Sequence, residues 1–182
     1  MNFKNLISYT LFLIIVGCEE QNTNNKNSTD TDIIIITPDY EEESFYLNLT
    51  TGLENSQDWH VSLQKMIVTS GVITAHLPTI ITNSSSLIGI ENNIDYDDLI
   101  TLPANTNWLA DTTLLSHGGD YVVLDYQFLC ENPNHDHPPN THKILVWDFI
   151  YLFKIIETGR IYKIKFEEYE SGIVLFKYSE IE

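Results

Sequence analysis

Three of the chain's six histidines fall within eight residues, in the run Cys130–His142, CENPNHDHPPNTH. His135 and His137 are separated by one residue, so an extended backbone sends both to the same side. With His142 they offer three imidazole nitrogens, ligands suited to Zn²⁺ or Cu²⁺, and Cys130 or Asp136 supplies a fourth donor. Pro133, Pro138 and Pro139 fix φ and remove backbone donors, which argues against helix or interior strand. The run is therefore a stiffened loop. It also has a plainer reading, as a solvated polar loop whose imidazoles take up metal adventitiously.

The other histidines are scattered. His117 precedes Gly118-Gly119, a flexible turn, and is a candidate single ligand. His60 and His76 sit in alternating stretches and read as packing or surface residues. Met66 carries a soft thioether, but core filling is its simpler role. Catalysis has little support, and the chain does not read as an enzyme. There is no Gly-x-Ser-x-Gly elbow and no phosphate-binding glycine loop. Ser116, His117 and Asp120 are near neighbours in sequence, whereas a triad is assembled from separate elements. Asp95-Tyr96-Asp97-Asp98 lacks the spacing of a calcium loop and reads as a helix start.

The elements that would position these residues are strands. In Arg160–Tyr169 (RIYKIKFEEY), Tyr162, Ile164 and Phe166 fall on one face and Lys163, Lys165 and Glu167 on the other. That period of two marks a half-buried strand. Glu170-Ser171-Gly172 is a turn, and Ile173–Ser179 returns. Lys143–Ile156 is almost continuously apolar and rich in β-branched and aromatic residues. It reads as one long doubly covered strand, or as two joined by a bend near Asp148. The C-terminal third is thus an antiparallel meander. Upstream, Ile33–Ile36, Ser44–Thr50, Trp59–Thr69, Val72–Ile81 and Tyr121–Leu129 read as strands. Asn93–Leu99 is the one helix candidate, and Ala104–Ser116 is irregular. The fold class is all-β, an antiparallel sandwich-like domain with at most one short helix.

At the N-terminus, Met1-Asn2-Phe3-Lys4-Asn5 leads into the apolar run Leu6–Gly17, which stops at Cys18. The run is too short for a membrane span of about 20 residues. A small residue before Cys at the end of such a run resembles the bacterial lipobox. The resemblance implies loss of residues 1–17 and acylation of Cys18, and two or more chains anchor a protein firmly. Glu19–Asp32 (EEQNTNNKNSTDTD) has no apolar side chain and cannot offset its ordering entropy, so it reads as a solvated tether. Glu19 and Glu20 resemble the surface-export signal of Bacteroidetes lipoproteins. The chain divides into a signal peptide (1–17), a lipidated Cys18 with a polar tether (18–43), and one β-rich domain (44–182). With 26 acidic against 9 basic residues, and a net charge of −17, it has no basic patch for nucleic acid. If Cys18 is acylated, Cys130 has no disulfide partner and is either a buried thiol or a ligand.

Two stretches carry a family resemblance. Tyr46-Leu47-Asn48-Leu49, Gly52, Asp58-Trp59-His60-Val61-Ser62-Leu63 and Ser70-Gly71 resemble the N-terminal pattern of the HmuY-like lipoproteins. Gly159-Arg160-Ile161-Tyr162-Lys163-Ile164-Lys165-Phe166, Tyr169, Gly172 and Phe176-Lys177-Tyr178-Ser179 resemble their closing hairpin. The family is β-rich, surface-exposed and haem-binding. The chain departs from it at His60, where the family has Asp, and its middle matches no family ligand set. The resemblance implies haem capture at the outer membrane or cell surface, with a haem receptor in that membrane as partner. Haem iron needs axial ligands from both sides of an apolar cleft. In this chain His117 with His137 or His142 could supply them, from loops flanking Tyr121–Leu129. The matched aromatics Trp59, Tyr162, Phe166 and Phe176 read as core. Two alternatives stand beside haem capture. One is a Zn- or Cu-binding lipoprotein using His135, His137, His142 and Cys130. The other is an envelope adhesion or scaffold protein without a small ligand.

The N-terminal reading has a direct test. Mass spectrometry of the mature protein is expected to show diacylglyceryl-Cys18 as its first residue. A chain starting elsewhere, or wild type and Cys18→Ser partitioning alike between membrane and soluble fractions, refutes it.

Overall fold

The computed structural model describes residues 31–70, 73–110, 113–128 and 142–182. Among them the strands are β1 (Ile33–Ile36), β2 (Phe45–Asn48), β3 (Leu53–Glu54), β4 (Val61–Ser70), β5 (Ile73–Thr82), β6 (Ser86–Glu91), β7 (Leu124–Phe128), β8 (His142–Val146), β9 (Ile150–Ile155), β10 (Ile161–Glu170) and β11 (Ile173–Ile181). All pair antiparallel. They form a five-stranded sheet in the order β1-β11-β10-β9-β6, a four-stranded sheet in the order β3-β2-β4-β5, and the ribbon β7-β8. The fold is all-β.

One core joins the two sheets. Phe45, Leu47, Val61, Leu63 and Ile80 of the smaller sheet share a buried cluster with Tyr151, Phe153, Ile164, Phe166 and Phe176 of the larger. The alternation in β10 is as the sequence indicates: Tyr162, Ile164 and Phe166 are buried. Past Phe166 the register with β11 shifts by one residue, between Phe166 and Glu168. This bulge keeps Glu167 and Glu168 outward and returns Tyr169 to the core side, where its ring meets Tyr40 at 6.5 Å. The turn into β11 has positive φ at Ser171 (48°) and Gly172 (89°), the pattern of a type I′ hairpin. A Cβ on Gly172 would also collide with the Asp39 carboxylate.

The apolar run Lys143–Ile156 is two strands, broken at Trp147–Phe149, the second of the two expected forms. β8 joins the ribbon, whereas β9 runs between β10 and β6. A stacked and edge-on series of rings spans the break: Trp147 on Phe149 (5.6 Å), then Tyr151 (6.1 Å), Phe166 (5.5 Å) and Phe176 (5.1 Å).

Several expectations need correction. Ile33–Ile36, within the stretch 18–43 assigned to the tether, is the edge strand of the larger sheet, and Tyr40 belongs to the core. The folded part therefore includes residues before Ser44. Thr37 fastens this segment: its N–H donates to the Val174 carbonyl (3.0 Å) and its hydroxyl accepts from the Val174 N–H (2.9 Å). Trp59 is half-buried against Tyr46 (5.5 Å), not core. Asn93–Leu99 contains only the 3-10 turn Tyr96–Asp98, and Asp95 makes no side-chain cap bond. Strand β6 did not stand out in the sequence because Gly89 interrupts its pattern. A Cβ there would strike the Thr106 methyl, so glycine lets that segment lie against the strand.

Lys163 faces away from the main core, as its position indicates, yet it is only 4% exposed. The segment from Tyr96 to Trp108 covers it, together with Ile150, Leu152 and Ile181. The Lys163 ammonium donates to the Tyr96 carbonyl (2.8 Å) and lies 4.2 Å from that ring's centre.

Opposite faces of β10 should differ in their tolerance of change. Phe166 is 1% exposed, and Phe166→Ala is expected to cost about 3–5 kcal/mol. Lys165 pairs with the exposed Asp148 at 2.7 Å, and Lys165→Ala is expected to cost under about 1 kcal/mol. Thermal melts of the two variants check the difference, and equal losses would contradict the assignment of faces.

Candidate functional site

Strands β7 and β8 pair Leu124 with Val146, Tyr126 with Ile144, and Phe128 with His142. The connection between them carries Cys130, His135 and His137 and lies outside the described residues. His142 is the first residue of β8, one strand period before Ile144. Cys18 likewise lies outside the described residues.

His117 is placed by the turn leading into β7. Backbone bonds run from Ser116 N–H to Thr113 O (3.1 Å), Gly119 N–H to Ser116 O (2.9 Å) and Tyr121 N–H to Leu114 O (3.0 Å). Gly118 has φ +81°, and a Cβ on Gly119 would run into the Thr113 and Leu114 carbonyls. The two glycines allow the chain to close this tightly. Leu115, fully buried, pins the turn to the core. The His117 ring meets the Tyr126 ring edge-on, at 6.5 Å and 88°. Burial pushes the Tyr126 phenol up from its ordinary pKa.

Among the described residues, the His117 Nδ1 is buried without a hydrogen-bond partner. Leaving such a group unsatisfied typically costs about 1–3 kcal/mol, so a buried nitrogen of this kind calls for an explanation. A ligand that uses the ring is one. Ser116 does not donate to it as a triad serine would, because its hydroxyl donates to the Thr113 carbonyl at 2.6 Å.

The turn and ribbon are tied to the body of the domain. Val123 N–H donates to Leu115 O (3.1 Å), Trp147 N–H to Val123 O (3.1 Å), and the Tyr151 hydroxyl to Val122 O (3.2 Å). His117 was visible in the sequence through the glycines after it. Tyr126 was not singled out, since its role follows only from the turn folding back onto β7.

The remaining candidates lie elsewhere. His76 is exposed in β5, opposite Ile67, and Met66 is half-buried opposite Leu77. Among the described residues, no three His, Cys, Asp or Glu side chains come together as a metal site. Two open clefts lie on the outer face of the larger sheet, and His117 lines neither. One, of about 380 Å³, is walled by Asp95, Asp97, Asp98 and Glu167 with Lys165 and Lys177. Lys177 is paired there with Glu167 (3.2 Å) and sits 4.6 Å from the centre of the Tyr96 ring. Neither a family model nor a curated protein matches this sequence.

His60 is a structural histidine. It is buried, and its Nδ1 accepts the Leu49 N–H at 3.1 Å, which requires that nitrogen unprotonated. Burial holds its pKa below the ordinary value, against the pull of the Asp58 carboxylate. Below about pH 6.5 the unfolded chain takes up this proton while the folded one resists, so stability falls as the pH drops toward the lowered folded value. Melts from pH 8 to 5 are expected to show a loss of stability below about pH 6.5 that His60→Gln reduces. Identical pH profiles would remove His60 from the explanation.

Proposed function

We propose that this chain is a cell-envelope lipoprotein, anchored through Cys18, that binds haem at the outer membrane or cell surface. The observation that carries the reading is the buried Nδ1 of His117 beside Tyr126, without a hydrogen-bond partner among the described residues. Its turn abuts the ribbon whose connection holds the densest histidine run in the sequence. His117 on one side and His137 or His142 on the other would be the axial ligands, leaving the iron chemistry to the porphyrin. Tyr126 and Ile144, paired across the ribbon and only half-buried, offer apolar surface of the kind a porphyrin needs. The polar, acidic stretch Glu19–Asp32 would hold the domain off the membrane, within reach of a haem receptor there.

The same residues support a second reading, in which Zn²⁺ or Cu²⁺ binds His135, His137, His142 and Cys130 with no porphyrin. Titration of the detergent-solubilised chain separates the two. Haem is expected to give a sharpened, red-shifted Soret band that weakens in His117→Ala and in His137→Ala or His142→Ala. Each variant should melt near the wild-type temperature. Calorimetric Zn²⁺ or Cu²⁺ binding that depends on His135, His137 and His142, without a Soret change, selects the metal reading. No binding of either at low micromolar concentration refutes both and leaves an envelope adhesion or scaffold domain.

A further inference from the structure

The outer face of the five-stranded sheet is covered at one end only. Beyond the Tyr96–Trp108 segment an apolar strip stays in solvent: Ile34 is 67%, Ile36 70% and Ile173 39% exposed. Register places Ile36, Leu175 and Glu168 in one row across β1, β11 and β10, with Ile173 and Glu170 in the next. These five residues and Ser171 line a cleft of about 300 Å³. No cation lines it, and among the described residues neither Glu168 nor Glu170 has an ion pair. β1 is also the edge of the sheet, and no described strand pairs with its far side. Exposed edges usually carry a charge or proline, or are covered. β1 is four isoleucines.

We propose that this edge docks an extended segment of a partner polypeptide in which arginine alternates with apolar residues. The segment adds as a further strand beside β1, so that main-chain hydrogen bonds supply much of the affinity. Strands lie about 4.8 Å apart, so an arginine stem laid over Ile36 ends above β11, where its guanidinium faces the Glu168 and Glu170 side chains that line the same cleft from β10. Charge selects this occupant. A second copy would bring the same two carboxylates and a net charge of −17 to the contact. The chain's own Glu19–Asp32 has no apolar side chain to cover the isoleucines, and Lys26 is its only cation.

The probe is a blocked heptapeptide alternating arginine and valine, titrated by fluorescence anisotropy into the full chain in non-ionic detergent. Glu168→Gln/Glu170→Gln is expected to weaken binding at least tenfold. Glu42→Gln/Glu43→Gln, which removes exposed charge elsewhere, should leave it unchanged. Hydrogen exchange should show the peptide protecting those Ile33–Ile36 amides that point away from β11, and both double variants should melt like wild type. Equal weakening in the two variants would mean general attraction to an acidic protein and would overturn the proposal, as would protection elsewhere or no binding. Outward-facing β1 amides already protected without peptide also overturn it. Concentration-dependent protection with a dimer in light scattering assigns the edge to a second copy. Protection lost on deleting residues 19–30 assigns it to the chain's own N-terminal segment.

Discussion

A lysine ammonium buried in a sheet must have partners, or it costs several kcal/mol. Lys163 lies on β10, between β11 and β9, where the other face of the strand is committed to the core. Its charge cannot turn inward. It is met instead by the carbonyl and ring of Tyr96, and that contact draws the segment after β6 across the outer face. Much of the outer layer follows from this. The Tyr96 hydroxyl reaches Ser179 (3.1 Å) and Asp32 (3.3 Å), Leu102 N–H donates to Glu182 O (2.9 Å), and Leu109 bridges to Ile88. A segment without regular structure is thereby held at several points. Gly89 is the matching concession in β6, giving up a side chain so that Thr106 and Trp108 can approach.

That arrangement also shows where the sequence could be read and where it could not. Strands β10 and β11 were legible because their faces differ in polarity and because Ser171-Gly172 suits a primed turn. The division of Lys143–Ile156 was legible only as a pair of alternatives. Both halves are apolar, and what separates them is the sheet each joins. The Asn93–Leu99 helix failed for a reason outside its own residues: Tyr96 is engaged by Lys163, 67 positions away, and the turn stops after one cycle. Burial of Lys163 was hidden for the same reason, since alternation says which face a residue takes but not whether another segment covers it.

The histidines divide along the same line. His60 looked like any residue of an alternating strand, yet it precedes β4 and its ring nitrogen accepts the Leu49 N–H just past the end of β2. His117 looked like a loop residue, and it is one, but its Nδ1 is buried with no comparable partner among the described residues. Residue type is the same in both, and surroundings make one a structural acceptor and the other a group with unused capacity. Sequence spacing cannot distinguish them, because what faces each ring, Leu49 N–H for His60 and Tyr126 for His117, lies on a different element.

Rigidity around His117 comes from the core rather than from its own turn. The Tyr151 hydroxyl holds the Val122 carbonyl, and the Tyr151 ring is edge-on to Phe166. Val123, next in the chain, is fully buried and accepts the Trp147 N–H through its carbonyl. The backbone just after the glycine turn is therefore clamped from two strands, β9 through its side chain and the end of β8 through its main chain. A binding group on a loop is precise only if such a scaffold fixes it. The aromatic series from Trp147 to Phe176 supplies that scaffold here, because displacing any ring in it disturbs contacts that extend into the middle of the larger sheet. A ligand held at His117 would thus be held against the main core of the domain, although the residue itself stands in a surface turn.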